Sequence, residues 1–274
     1  MYIGIDLGTS GVKTILTDES GKVVDSASSS LTVAIPQPLW SEQNPEDWWT
    51  ATCATLDELK QRNDLSVVKA LGLAGQMHGA TLLDKVGQVL RPAILWNDGR
   101  SEAQCRTLES TIIKARVITG NLVMPGFTAP KLLWIKENEP DIFKQVDKVL
   151  LPKDYLRYKL TGEFASDMSD SAGTSWLNTG ERSWSKSMLM ACGLSEKHMP
   201  TLYEGNEITG YLTAKTAKRW GMKAVPVVAG AGDNAAGAVG CGIVDAGQAM
   251  LSLGTSGVYF AVTNDYRSDP ESAV

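Results

Sequence analysis

Near the N-terminus, Asp6-Leu7-Gly8-Thr9-Ser10-Gly11-Val12-Lys13 packs a carboxylate, two hydroxyls and two glycines into one turn. Apolar runs flank it, Tyr2 to Leu7 before and Val12 to Thr17 after, so it reads as a β-hairpin tip. Such a tip can turn several N–H groups and both hydroxyls toward a phosphate. Asp6, at the strand end, could hold Mg²⁺ directly or through water. The same residues also suit a plain hairpin with a capping aspartate. The spacing is not that of a P-loop, and no helix opens here, so it is not a dinucleotide fingerprint. An internal repeat tips the balance. Leu7 to Val12 recurs, residue for residue, as Leu253-Gly254-Thr255-Ser256-Gly257-Val258. A duplicated fold whose halves each begin with one hairpin explains this. Gly8, Thr9, Ser10 and Lys13, with Gly254 and Thr255 in the second copy, are therefore candidate phosphate contacts.

Further groups stand where strands end. Gly230-Ala231-Gly232-Asp233-Asn234 follows a buried run, Val225 to Ala229, and precedes a helix beginning at Ala235. Asp233 at that junction fits a plain N-cap or a working carboxylate. A helix end would lower its pKa. Gln76-Met77-His78-Gly79 follows a strand over Val67 to Ala74 that ends at Gly75. Ligands often meet α/β sheets at such ends. A lone loop histidine is, by itself, more often structural. Trp96, Asp98 and Arg100 lie close together, where core packing and a salt-bridged loop compete with substrate contact.

The elements that must position these groups are legible in outline. Three strands open the chain as a meander. Asn44, Pro45, Glu46 and Asp47 mark a helix start, and that helix runs to Arg62. Ala80 to Asp84 and Val89 to Leu90 form a hairpin around Gly87, followed by a short strand at Ala93 to Trp96. Helices are predicted over Ser101 to Thr119, Pro130 to Glu137 and Lys153 to Leu160. Two strands are predicted between Ala249 and Val262. The middle reads as a helical elaboration on a strand-based core, with Trp48, Trp49 and Trp134 on core-facing helical faces. Lys136-Glu137-Asn138-Glu139 reads as a solvated helix end.

With 274 residues the chain can bury a substantial core. A net charge of -5 argues against a nucleic-acid binder. Four scattered cysteines without a C-x-x-C pair, and two distant histidines, argue against zinc and suggest a reducing cytoplasm. No segment is long and apolar enough to span a membrane.

Taken in order, Gln76-Met77-His78-Gly79, Leu95-Trp96-Asn97-Asp98-Gly99-Arg100, Leu151-Pro152-Lys153-Asp154-Tyr155 and Gly230-Ala231-Gly232-Asp233-Asn234 resemble the FGGY carbohydrate kinases. The opening hairpin resembles the wider actin, Hsp70 and hexokinase superfamily. The resemblance covers the whole chain. It implies an α/β, ribonuclease-H-like domain with a mixed sheet and helical insertions over residues 1–245. The first strands of a second such domain, for ATP, would occupy 246–274, and the natural protein would continue beyond Val274. It implies ATP and Mg²⁺ as cofactors, with a small sugar as substrate. Neither nucleic acid nor membrane is expected as a partner, and a homodimer is compatible. By the resemblance, Asp233 is the general base, Asp6 organises Mg²⁺, and Met77, His78 and Asn234 touch the sugar. Gln76, Trp96, Asp98 and Arg100 are further sugar-site candidates. The Gln-Met-His-Gly form is similar to members acting on D-xylulose. Kinases for ribulose, fuculose, rhamnulose, gluconate or glycerol, and a non-catalytic sugar-binding module, are the alternatives.

Overall fold

The computed structural model describes residues 1–253, 257–269 and 271. The tip of the second repeat, Gly254 and Thr255 included, lies outside the described residues.

Strands β1 (Tyr2–Leu7), β2 (Gly11–Thr17) and β3 (Val23–Ser30) form the expected antiparallel meander. Alternation fixes its faces. Ile3, Ile5, Leu7, Val12 and Leu16 point inward, while Asp6 and Lys13 stand on the opposite face as register partners. After a two-residue strand, β4 (Glu42–Gln43), helix α1 (Pro45–Arg62) crosses the inner face and buries Trp48 and Leu56 there. Asn44 caps it, accepting the Glu46 N–H at 3.1 Å. Strand β5 (Ala70–Gly75) then pairs parallel with β1. It starts three residues later than predicted because Asp64 caps a short 3₁₀ turn over Leu65–Val67.

The middle of the chain builds a second core around Leu82, Leu132 and Trp176. Here β6 (Thr81–Leu83) pairs with β8 (Lys148–Leu150), and β7 (Ala93–Ile94) pairs with β4. The predicted helix over Ser101 to Thr119 is two helices, α2 (Glu102–Thr111) and α3 (Ala115–Thr119). The β-branched run Thr111-Ile112-Ile113 breaks it, with Ile112 in extended backbone. Next come α4 (Thr128–Asn138), α5 (Pro140–Phe143), α6 (Pro152–Thr161), β9 (Ala165–Asp167) and α7 (Met168–Ala172). Short elements follow: β10 (Leu177–Asn178), β11 (Ser183–Trp184), α8 (Lys186–Ala191) and β12 (Thr201–Tyr203).

The chain then returns to the first sheet through β13 (Ile208–Tyr211), α9 (Ala214–Trp220), β14 (Pro226–Val228) and β15 (Ala231–Gly232), leading into α10 (Asp233–Gly240). The completed sheet runs β13-β14-β5-β1-β2-β3, with β15 also on β5. Beyond it, β16 (Ala249–Leu253) and β17 (Gly257–Ala261) pair as a separate antiparallel hairpin whose Leu251, Leu253 and Tyr259 are exposed. No helix among the described residues is long and apolar enough to cross a membrane.

Candidate active site

Three parallel strands converge. Strands β1, β5 and β15 lie side by side in register, with Asp6 opposite Ala74 and Ala74 opposite Ala231. Their carboxyl ends therefore deliver Asp6, the Gln76–His78 loop and Asp233 to one edge of the sheet. Asp6 and Ala231 are two strand spacings apart, about 10 Å. The turn before β15 requires glycine: Gly230 has φ +73, and a Cβ there would meet the Leu73 carbonyl oxygen at 1.8 Å. Glycine also matters at Gly232, where a Cβ would lie 2.9 Å from the Met77 sulfur, so Met77 packs directly beneath the Asp233 junction.

Asp233 opens α10, but its pKa moves opposite to the expectation. Burial pushes its carboxyl up, against the Asn234 N–H that donates to it at 2.7 Å, and the nearby charge of Asp6 pushes the same way. Desolvation and like charge outweigh the helix end. Asp6 is likewise raised by burial, with Lys13 opposing.

His78 is held from several sides. Its φ is +67, an uncommon conformation for a residue with a Cβ. Its Nδ1 lies 2.7 Å from the Gly173 carbonyl oxygen, and its ring packs against Phe127 with centroids 4.7 Å apart. A carbonyl only accepts, so Nδ1 carries the proton and Nε2 is left as an acceptor for a hydroxyl. Burial, reinforced by the charge of Lys131 and opposed by the Gly173 bond, lowers its pKa to about 4. The ring is thus neutral at physiological pH. A cavity of about 390 Å³ opens beside it, lined by Met77, His78, Phe127, Ser169, Tyr266 and Arg267 among others. Gly173 is the close wall: a Cβ there would sit 2.3 Å from His78 Cε1, although the Gly173 backbone, φ −79, suits any residue. If His78 faces the sugar that the family resemblance implies, Gly173→Ala should leave the fold standing and weaken sugar binding by more than tenfold, read by calorimetry. Unchanged affinity would show that His78 does not face the sugar.

The remaining predicted residues fall into two groups. Gln76 is buried and belongs to a hydrogen-bond chain. Trp96 Nε1 donates to Thr9 Oγ1 at 3.0 Å, Thr9 Oγ1 donates to Gln76 Oε1 at 3.0 Å, and Gln76 Nε2 donates to Gln43 Oε1 at 3.0 Å. The Thr9 hydroxyl is thus engaged within the protein, and the Gly8 N–H closes the hairpin onto Gly11 O at 2.9 Å. Neither group is turned outward as the sequence reading expected. Ser10 is exposed at the tip, and Trp96 is 41% exposed. Asp98 and Arg100 are drawn into the interior instead. Their side chains are fully buried and ion-paired at 2.7 Å, and Arg100 also pairs with Glu42 at 2.7 Å and stacks on Trp40 at 3.6 Å. The salt-bridged loop, not the cleft, accounts for their position.

Sequence reasoning missed a buried ionic cluster under the site. Lys153 Nζ lies 2.6 Å from Asp154, 2.7 Å from Asp167 and 3.3 Å from Asp170. Arg157 joins Asp154 at 3.3 Å and donates to the carbonyls of Val228 and Ala229, just before the Gly230 turn. Asp167 accepts from Ser169 Oγ at 2.5 Å, and Ser169 Oγ accepts the Gly232 N–H at 3.2 Å. The cluster therefore grips both sides of the turn that presents Asp233. Two cations and three carboxylates leave one surplus negative charge. Burial, with Asp154 and Asp167 nearby, pushes the Asp170 carboxyl well up against the pull of Lys153. Asp167 shows the reverse balance: burial opposes, but Lys153 and Ser169 hold its carboxyl below the usual range. In sequence, Lys153 and Asp154 read as ordinary first-turn residues of a helix, so the cluster has no clear sequence signal.

The model of the FGGY family of carbohydrate kinases, N-terminal domain, matches residues 1–240. A xylulose kinase of Escherichia coli (strain K12) is 66% identical over 274 residues, which are 100% of this chain and 57% of that protein. A xylulose kinase of Bacillus subtilis (strain 168) is 42% identical over 97% of this chain and 54% of its own length. A crystal structure of a xyloylose kinase from Brucella ovis superposes with a TM-score of 0.97 at 54% identity, covering 99% of this chain and 57% of that one. The chain thus spans little more than half the length of these relatives. The match over residues 1–240, and the likeness of the fold to that crystal structure, place this chain in the FGGY family of carbohydrate kinases as a bearer of its N-terminal domain.

Proposed function

We propose that this chain supplies the sugar-binding part of an ATP-dependent kinase that phosphorylates D-xylulose to the 5-phosphate. The observation that carries the reading is the convergence of Asp6, Met77-His78 and Asp233 at the carboxyl ends of three adjacent parallel strands. In it, residues 1–245 bind the sugar, and 246–274 begin a second domain that takes the nucleotide. The separate β16–β17 hairpin supports that division.

Phosphoryl transfer asks for a positioned hydroxyl, a carboxylate to accept its proton, and charge neutralisation. His78 Nε2 accepts a hydrogen bond from one sugar hydroxyl. Met77 gives an apolar wall, and Asn234 lies beside the base. Asp233 takes the proton of the attacking hydroxyl, and its raised pKa makes it a stronger base than an ordinary aspartate. Among the described residues no cluster of three or more acidic, histidine or cysteine side chains could hold a metal alone. Mg²⁺ is commonly held by one or two carboxylates with water and phosphate, and Asp6, at the sheet edge with part of its surface open, fits that role. When bound, the ion would neutralise phosphate charge.

Calorimetric titration with D-xylulose, with ribulose and glycerol as controls, tests the reading. Selective xylulose binding that His78→Ala removes is expected. Tighter binding of either control would overturn the choice of sugar.

A further inference from the structure

Lys131 is an unusual residue for its place. It sits in α4 between Ala129-Pro130 and Leu132-Leu133, is 0% exposed, and has no carboxylate within ion-pair distance among the described residues. Its ammonium donates to two backbone carbonyls, those of His78 at 2.9 Å and Gly126 at 2.7 Å. Thr128 Oγ1, on the first turn of the same helix, donates to the same His78 oxygen at 3.2 Å. Burying an ammonium with no carboxylate in direct contact is costly, and burial, eased by the charge of Asp98 and reinforced by that of Arg100, brings its pKa down to about 7. Packing alone is better met by leucine or methionine. The cost makes sense if the two donors perform a task at His78.

That task follows from the backbone. His78 has φ +67, in a tight turn that the Gly79 N–H closes onto the Met77 carbonyl oxygen at 2.9 Å, and the left-handed region, though histidine visits it more often than most residues, still costs energy for a side chain with a Cβ. Released, it would relax toward ordinary backbone angles, and the ring would leave the Gly173 oxygen. We propose that Lys131 and Thr128 form a clamp on the His78 carbonyl that positions the imidazole, keeping Nδ1–H on Gly173 and Nε2 toward the sugar cavity. The clamp rests on the sugar-binding reading of His78 only for its purpose. Its geometry is independent of which sugar, if any, is bound.

The test exploits the two histidines of the chain, His78 and His198. In the ¹⁵N-labelled 274-residue chain, long-range ¹H–¹⁵N correlation reports the tautomer of each ring directly. The wild type should show His78 as a single Nδ1–H tautomer. Lys131→Met and Thr128→Val should each give mixed tautomers at His78 with His198 unmoved. D-xylulose affinity should fall about tenfold in each. Thr128→Ser, which keeps the hydroxyl, should restore both readouts. A merely structural role would lower stability without moving the tautomer. If folded Lys131→Met and Thr128→Val both keep the single tautomer and the wild-type affinity, the clamp is wrong. Should Lys131→Met fail to fold, Thr128→Val, the smaller change, decides alone. Should the wild type bind no xylulose, the tautomer readout still judges the clamp, and only the choice of sugar falls.

Discussion

Asp233→Asn is expected to lower kcat for D-xylulose about a thousandfold in a protein of the relatives' full length. The change removes a base yet keeps the size of the side chain and its place at the start of α10. Sugar affinity should change little, because in the proposed site Met77 and His78, not Asp233, hold the sugar. A kcat loss without a matching rise in KM marks an interaction made chiefly in the transition state. The pH profile of the unmodified enzyme gives a second reading. Burial raises the Asp233 pKa, so the acid limb should lie above the ordinary aspartate value of 3.8. Activity should fall as pH drops through that raised value, because the protonated carboxyl cannot accept the hydroxyl proton. Asparagine at 233 with near-normal turnover would remove Asp233 from the mechanism.

The second large effect lies beneath the site. Lys153→Met should cost about 3–5 kcal/mol of folding stability, because three buried carboxylates lose their shared cation. Urea unfolding measures it, and an unchanged midpoint would refute the account. Asp170→Asn should behave differently. Asp170 is the carboxylate whose pKa is driven up, so in the native state it binds its proton more tightly than in the unfolded chain. Its contribution to stability is present at low pH and is lost as pH rises through the raised folded value. Asparagine mimics the protonated form, so this variant should match the wild type in acid and exceed it at higher pH. Because Lys153 reaches Gly232 through Asp167 and Ser169, the lysine variant should also loosen the Asp233 turn.

Much of the fold was legible because period and punctuation agree. The meander announces itself by alternation and turn residues, and α1 by Asn44-Pro45 with acidic residues following. The break between α2 and α3 was missed because an amphipathic stripe says where a helix can bury, not where β-branched residues end it. Asp6, Met77, His78 and Asp233 were readable as strand-end residues, and the parallel register of β1, β5 and β15 explains why strand ends meet. What could not be read is which polar groups satisfy one another. Thr9 looks like a free hydroxyl in sequence, yet Gln76 and Trp96 engage it from far along the chain. For Arg100 the sequence leaves substrate contact and a salt-bridged loop open, and Asp98 and Glu42 draw it into the interior. Lys131 reads as one more charge in a helix until its fold neighbours turn out to be carbonyls.

The placement of β15 against β5 has a consequence for the birth of the protein. Leu71 and Ala74 wait for Val227 and Ala231, partners that lie about 160 residues later in the chain. At ordinary translation rates that separation is roughly 10–30 s, far longer than a hairpin such as β1–β2 needs to close. For that interval β5 has a partner on one side only, and its other edge is a template for the wrong strand. That edge of β5, beside the loop carrying Met77 and His78, is therefore open to mispairing in the nascent chain, and a chaperone shielding it would be useful.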